Sequence, residues 1–230
     1  MTLLHAPGRG AKRARTVPPA VQASRREALI EAVLDLIAEG GPQAASVRAI
    51  ATRAGATPGL IRHHFANKEA LIGAAFVTFM QRVLDAGVAG LPPGDVAARQ
   101  RLAAFVRGAL RPPAMSRRNL LLWTTFEQMT RHDPRMRVMH DDGHLTLRNR
   151  LAELIAKAYF VEGREATSQL VRRKAIACGA VIDGLWMEAS LQRDAPPEEL
   201  AGIGCDAIGA IIGLELSEPA GPDARADHNP

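Results

Sequence analysis

Apolar positions along this chain recur every three or four residues, and nowhere do they alternate with the period of two that a half-buried strand requires. Leu29, Ile30, Val33, Leu34 and Ile37 form one such stripe. It opens behind a capping box, Ser24-Arg25-Arg26-Glu27, and stops at Gly40-Gly41-Pro42, so the pattern predicts a helix between them. A shorter stripe of Val47, Ile50 and Ala54 follows Ser46, whose hydroxyl can cap it. Gly55 ends that stripe where a positive φ is expected. Thr57 then supplies a hydroxyl N-cap, with Pro58 at the first helical position, and a second short helix turns Leu60 and Ile61 inward.

Further along, Asn67 caps a helix carrying Leu71, Ala74, Ala75, Phe76 and Val77 to about Ala89, where Gly90-Leu91-Pro92-Pro93-Gly94 breaks the pattern. Asp95 begins the next helix, which ends at Pro112-Pro113. Others are predicted over residues 116–131, from Pro134 to about Phe160, from Arg164 to about Gln192, and from Pro196 to about Leu216. The expectation is an all-α protein without internal repeats. A three-helix module covers residues 24–66 and a larger helical domain residues 67–216, between tails at 1–23 and 217–230 whose composition reads as disordered.

Two short helices joined by a glycine turn, the second starting on small and polar residues, is the helix-turn-helix layout, in which that second helix enters a DNA major groove. A bulky start would hold the helix off the base edges, so Pro58 and Gly59 suit the task. Charge placement agrees with this reading. The net charge is +5, yet residues 1–68 hold ten Lys and Arg against four Asp and Glu, a surplus of six that leaves the rest of the chain near neutral. Arg62 can meet guanine O6 and N7 bidentately; with Pro58, Gly59 and His63 it makes the expected base-facing surface, a plain phosphate contact being its alternative. The basic N-terminal tail is either an arm along the DNA or a solvated leader.

Other classes recede. Cys178 and Cys205 have no close spacing to each other or to paired histidines, which argues against a metal site or a disulfide framework; they read as small buried hydrophobes in a reducing cytoplasm. No run approaches the roughly 20 apolar residues of a membrane span, and the N-terminus lacks a secretory pattern. Neither a cofactor nor a membrane is an expected partner.

Ser46-x-Arg48-x-x-Ala51, followed by Ala54-Gly55-x-Thr57-x-Gly59-x-x-x-x-His64-Phe65-x-x-Lys68-x-x-Leu71, resembles the signature of TetR-type transcriptional regulators. The resemblance implies that Ser46, Thr57 and Lys68 touch DNA phosphates, with Arg48 joining them. His64 stands where the family usually has tyrosine, and an imidazole can still donate to phosphate; Phe65 reads as core. Leu122-Trp123-x-x-Phe126 with His132-x-Pro134, and Ile182-Asp183-Gly184-Leu185-Trp186-x-x-Ala189, are similar to stretches of the BetI-like subgroup, repressors that sense choline. The resemblance further implies a homodimer, built by pairing the last two helices, on a palindromic operator. Ala177, Gly179, Ala180, Gly184, Ala201, Ile208, Ile211 and Ile212 suit the close helix approach this needs.

Both tryptophans of this aromatic-poor chain fall within a turn of a carboxylate. Trp123 and Phe126 accompany Glu127, and Trp186 and Met187 accompany Asp183. Rings with a carboxylate nearby hold quaternary ammonium groups, so these six residues are the expected effector site. Three readings stay open beside it: ordinary core aromatics, a repressor of an efflux or catabolic operon with an apolar ligand, and a ligand-free architectural DNA binder. An enzyme using Glu127, His132, Asp133 and His140 is disfavoured, because one His-Asp dipeptide without further ligands cannot fill a metal's coordination shell.

Overall fold

Side-chain caps set the boundaries of the helices. In the computed structural model, which describes residues 19–89, 97–192 and 196–216, Ser46 Oγ accepts from Ala49 N–H at 3.2 Å and opens α2, Val47–Arg53. Thr57 Oγ1 accepts from Leu60 N–H at 3.3 Å at the start of α3, Pro58–His64. Asn67 Oδ1 accepts from Ala70 N–H at 2.7 Å at the start of α4, Lys68–Ala89. Gly55, between α2 and α3, has φ +59°, a conformation that costs glycine nothing and other residues a steric clash. Before them lie α1, Pro19–Gly40, and a 3-10 turn, Pro42–Ala44; after them come α5, Ala98–Ala109, α6, Arg117–His132, α7, Pro134–Val161, α8, Ser168–Leu191, and α9, Pro197–Ile212. The fold is all-α, with no strand among the described residues.

Several boundaries differ from the sequence pattern. α1 starts at Pro19, five residues before the expected cap, and Ser24 lies exposed within it. Proline suits the first turn, and Ala20-Val21-Gln22-Ala23 contains no breaker, so the helix extends upstream. α8 starts behind Thr167, whose Oγ1 accepts from Leu170 N–H at 3.3 Å, because Gly163 (φ +65°) breaks the chain just before Arg164. α9 ends at Ile212 on the left-handed Gly213, whose carbonyl accepts from Arg164 Nη1 at 2.7 Å. Val47, expected inward, is 38% exposed. The breaker at 90–94, the cap at Asp95, residues 1–18 and the C-terminal tail from 217 lie outside the described residues.

α4 carries the longest correction. At 22 residues it is long and apolar enough to cross a membrane by length and composition, contrary to the sequence expectation. Its apolar side instead packs against α1, α5 and α7, with Leu71, Ile72, Ala75, Phe76 and Phe79 buried. Near its end, a Cβ on Gly108 of α5 would sit 3.1 Å from Gly87 Cα, so two glycines let α4 and α5 touch backbone to backbone. One continuous apolar core runs from Leu29 on α1 to Leu216 beyond α9.

A row of acids along α1 ties its neighbours together. Asp35 Oδ1 accepts from Arg118 Nη2 of α6 at 2.7 Å, Glu31 pairs with Arg82 of α4, and Glu39 takes both guanidinium nitrogens of Arg53 on α2, at 2.8 and 2.6 Å. Pairs this open to solvent orient helices more than they stabilise them.

Candidate DNA interface and interior cation site

The outer face of α3 is polar and open. Thr57, Pro58, Gly59, Arg62 and His63 are exposed, as are Ser46 and Arg48 at the start of α2, and Lys68 is half-buried at the first turn of α4. Ile61 and Phe65 point the other way, 2% and 7% exposed, and hold α3 on the core. These nine positions, His64 included, all fall on α2, α3, their N-caps and the first residue of α4. His64 is the odd member. Its Nε2 is buried without a hydrogen-bond partner, and burial, then the neighbouring His63, Arg26 and Arg25, push its pKa down. The shift favours the neutral ring. Arg53 is engaged by Glu39, while Arg26 lies over the Phe65 ring at 5.2 Å.

The interior site forms where α6, α7 and α8 meet. Glu127 of α6 and Asp183 of α8, both partly buried, face two histidines one helical turn apart on α7. Glu127 Oε1 lies 2.7 Å from His140 Nε2 and 3.8 Å from His144 Nε2, and His144 Nδ1 lies 3.6 Å from Asp183 Oδ2. One aromatic ring meets this polar knot: Phe76 stacks on His140 at 6.4 Å, and Phe126 packs 5.0 Å from Phe76. Trp123 and Trp186 meet 6.0 Å apart, the latter donating its indole N–H to Ala109 O at 3.0 Å and so satisfying a carbonyl at the end of α5.

Electrostatics follow from burial and pairing. Burial pushes the Glu127 carboxyl up, but the hydrogen bond from His140 and the nearby imidazoles of His140 and His144 outweigh it and hold the pKa at about 2. The same bond from Glu127 raises His140 above its ordinary 6.5. Asp183 is raised by burial, against the opposing charges of His144 and Arg148. His140 contributes stability below its unfolded pKa near 6.5 that is lost as pH rises through its higher folded value, and Asp183 acts in the same sense from a lower pH. Glu127 contributes above about 4.5, an increment lost as pH falls toward 2. The melting temperature is therefore expected to fall as pH rises above the ordinary histidine value of 6.5, and Glu127→Gln should flatten that fall; an unchanged slope in the variant would show that the pair does not set it.

Of the six residues expected to hold an effector, the structure brings Glu127 and Asp183 to one pair of histidines, packs Phe126 on Phe76, which stacks on His140, and pairs the two tryptophans with each other. Met187 is apart, 43% exposed on the outer face of α8 with Ile176, Ala180, Gly184 and Leu191. Ala180 and Gly184 share that face as expected for a dimer contact, whereas Gly179, Ala201, Ile208 and Ile212 are buried within this chain. His132 is exposed and Asp133 Oδ1 caps α7 by accepting from Arg135 N–H at 2.8 Å, so that dipeptide has a structural task. His144 was missed. Its signal was the i, i+4 spacing from His140, which sequence reasoning had grouped with His132 instead. A cleft of about 360 Å³ lies between α6, α8 and the start of α9, lined by Met115, Leu120, Leu121, Thr124, Ala189 and Leu200 among others.

A helix-turn-helix with an open polar and basic face, carried on a helical body with partly buried charged groups between α6, α7 and α8, is the layout of a DNA-binding regulator. A family model described as "Bacterial regulatory proteins, tetR family" matches residues 29–75, and one described as "BetI-type transcriptional repressor, C-terminal" matches residues 98–213. The HTH-type transcriptional regulator BetI of Escherichia coli O17:K52:H18 is 31% identical over 174 residues, 74% of this chain and 85% of that protein. Among solved structures, a transcriptional regulator from Pseudomonas aeruginosa PAO1 superposes with a TM-score of 0.72 at 26% identity, covering 83% of this chain and 91% of that one. A regulator from Saccharomonospora viridis, solved in complex with choline, shares the fold with a TM-score of 0.67 at 22% identity, over 81% and 96% of the two chains. The chain belongs to the tetR family and is a BetI-type transcriptional repressor, not an enzyme.

Proposed function

We propose that this repressor works in the cytoplasm as a homodimer on a palindromic operator, and that its effector is choline or another quaternary ammonium compound. The observation that carries the effector reading is the pair of partly buried carboxylates, Glu127 and Asp183, placed with two imidazoles beside the Phe76 ring. An organic cation with methyl groups matches such a site: the rings take the methyl surface and the carboxylates take the charge. The likeness to a fold solved with choline supports the same chemistry.

In this reading Arg62, His63, Pro58 and Gly59 face base edges, and Ser46, Arg48, Thr57 and Lys68 fix the register on phosphates, His64 adding at most a neutral donor. Dimerisation uses the outer stripe of α8, Ile176, Ala180, Gly184, Met187 and Leu191, with Ile203 of α9. A two-fold pair then sets two recognition helices about 34–36 Å apart, one turn of DNA. Residues 24–66 serve as the DNA-binding unit and 67–216 as the sensory and dimerising one. Effector binding shifts α4, whose Phe76 touches the site and whose first turn adjoins α3.

Thermal melting of the metal-free protein against choline, betaine aldehyde and betaine tests this. Saturable stabilisation by a quaternary ammonium compound, about 2.7 kcal/mol at a hundredfold excess over Kd, is expected and should vanish in Glu127→Gln and Asp183→Asn. Stabilisation by apolar compounds alone would move the effector to the cleft beside Thr124 and sink the cationic reading.

A further inference from the structure

We propose that Glu127, His140 and His144 form a binding site for a divalent first-row transition metal such as zinc, with Asp183 fixing one of the imidazoles. This goes beyond the organic-cation reading and stands on different atoms. His140 and His144 lie four residues apart on α7, their rings 4.1 Å from each other. Each turns its Nδ1 toward a carboxylate, His140 to Asp141 Oδ1 at 3.5 Å and His144 to Asp183 Oδ2 at 3.6 Å. Both Nε2 atoms are thereby left facing Glu127 Oε1. His140 Nε2 shares a proton with Glu127 Oε1 that a metal would displace, whereas His144 Nε2 has no such bond; a carboxylate behind the ring is the arrangement that accompanies metal-bound histidines.

The three donor atoms lie within 4.8 Å of one another. Bonds of roughly 2.0–2.2 Å from one ion to imidazole nitrogen and carboxylate oxygen need only small side-chain rotations to close that triangle. A second observation is independent of the spacing. His144 Nε2 is buried with no hydrogen-bond partner, although it points at a carboxylate, so the site has a donor that the protein alone leaves unused. Two imidazoles with one carboxylate favour zinc, cobalt or nickel over the hard calcium and magnesium ions, which prefer all-oxygen shells. Three protein ligands leave a fourth position open for water or a small anion. Because the metal and an organic cation both draw on Glu127, they compete.

The test uses full-length protein stripped with a chelator and dialysed, then titrated with Zn²⁺ by calorimetry and with Co²⁺ by visible absorption. One ion per chain is expected, with affinity reduced at least tenfold in His140→Gln and His144→Gln and roughly 10–100-fold in Asp183→Asn, while His132→Gln keeps it. Absence of stoichiometric binding, or binding that survives both histidine variants, would overturn the site. If those variants fail to fold, wild-type Co²⁺ decides: the intense bands of a four-coordinate ion with imidazole resonances from two histidines support it, and the weak spectrum of hydrated cobalt rejects it. Metal binding without any choline response would leave this site standing and defeat only the effector reading; loss of choline stabilisation on adding Zn²⁺ would place both on Glu127.

Discussion

Replacing Phe126 by alanine is expected to lower the free energy of unfolding by about 3–5 kcal/mol. The ring is 1% exposed and sits between two phenylalanines of α4, 5.0 Å from Phe76 and 5.7 Å from Phe79. Removing it opens a cavity that neighbours can fill only by moving α6 toward α4, and both helices are held elsewhere, by Arg118 and Arg82 on the acids of α1. Urea unfolding should show the midpoint falling with little change in slope. Val138→Ala, at a position 62% exposed, should stay within about 0.5 kcal/mol of the parent protein. A loss near 1 kcal/mol for Phe126→Ala would mean that the interior collapses freely and that the aromatic cluster does not pin α6.

The second large effect concerns DNA. Arg62→Ala should weaken operator binding by about 1–3 kcal/mol and relax selectivity at one base position in each half-site. Arg62 is exposed on α3 and makes none of the ion pairs that occupy Arg53, Arg82 and Arg118, so its guanidinium is available for a groove. Lys68→Ala offers the contrast. Taking its ammonium away from a phosphate should weaken binding to all sequences alike and lower the salt slope by about 1. Fluorescence anisotropy across a salt series, on the operator and single-base variants, separates the two. Uniform weakening across sequences for Arg62→Ala would reassign it to the backbone.

Much of the fold was legible because local chemistry decided it. Ser46, Thr57 and Asn67 close the caps their hydroxyls and amide promised, and Gly55 takes its positive φ. Boundaries failed where two local signals competed: the capping box at Ser24 lost to Pro19, and Arg164 lost to Thr167 once Gly163 turned the chain. Inward and outward faces were harder. Period alone cannot say which side of α8 meets this chain's core and which is open, so Met187 was placed with Asp183 although it points away. His144 escaped notice for a related reason. A lone histidine in Asp141-Asp142-Gly143-His144 reads as a solvated face until α8 brings Asp183 against it and α6 brings Glu127.

The acid row on α1 bears on how a signal could leave the interior. α6 carries Glu127 toward one end and Arg118 in its first turn, about 13 Å apart along the axis at 1.5 Å per residue. Arg118 meets Asp35, whose other oxygen stands 3.9 Å from Arg53 on α2. The helix thus links the partly buried Glu127 at one end to an acid of α1 at the other. Through Arg118, Asp35 and Arg53, the helix that carries Glu127 therefore shares a carboxylate with the helix-turn-helix module.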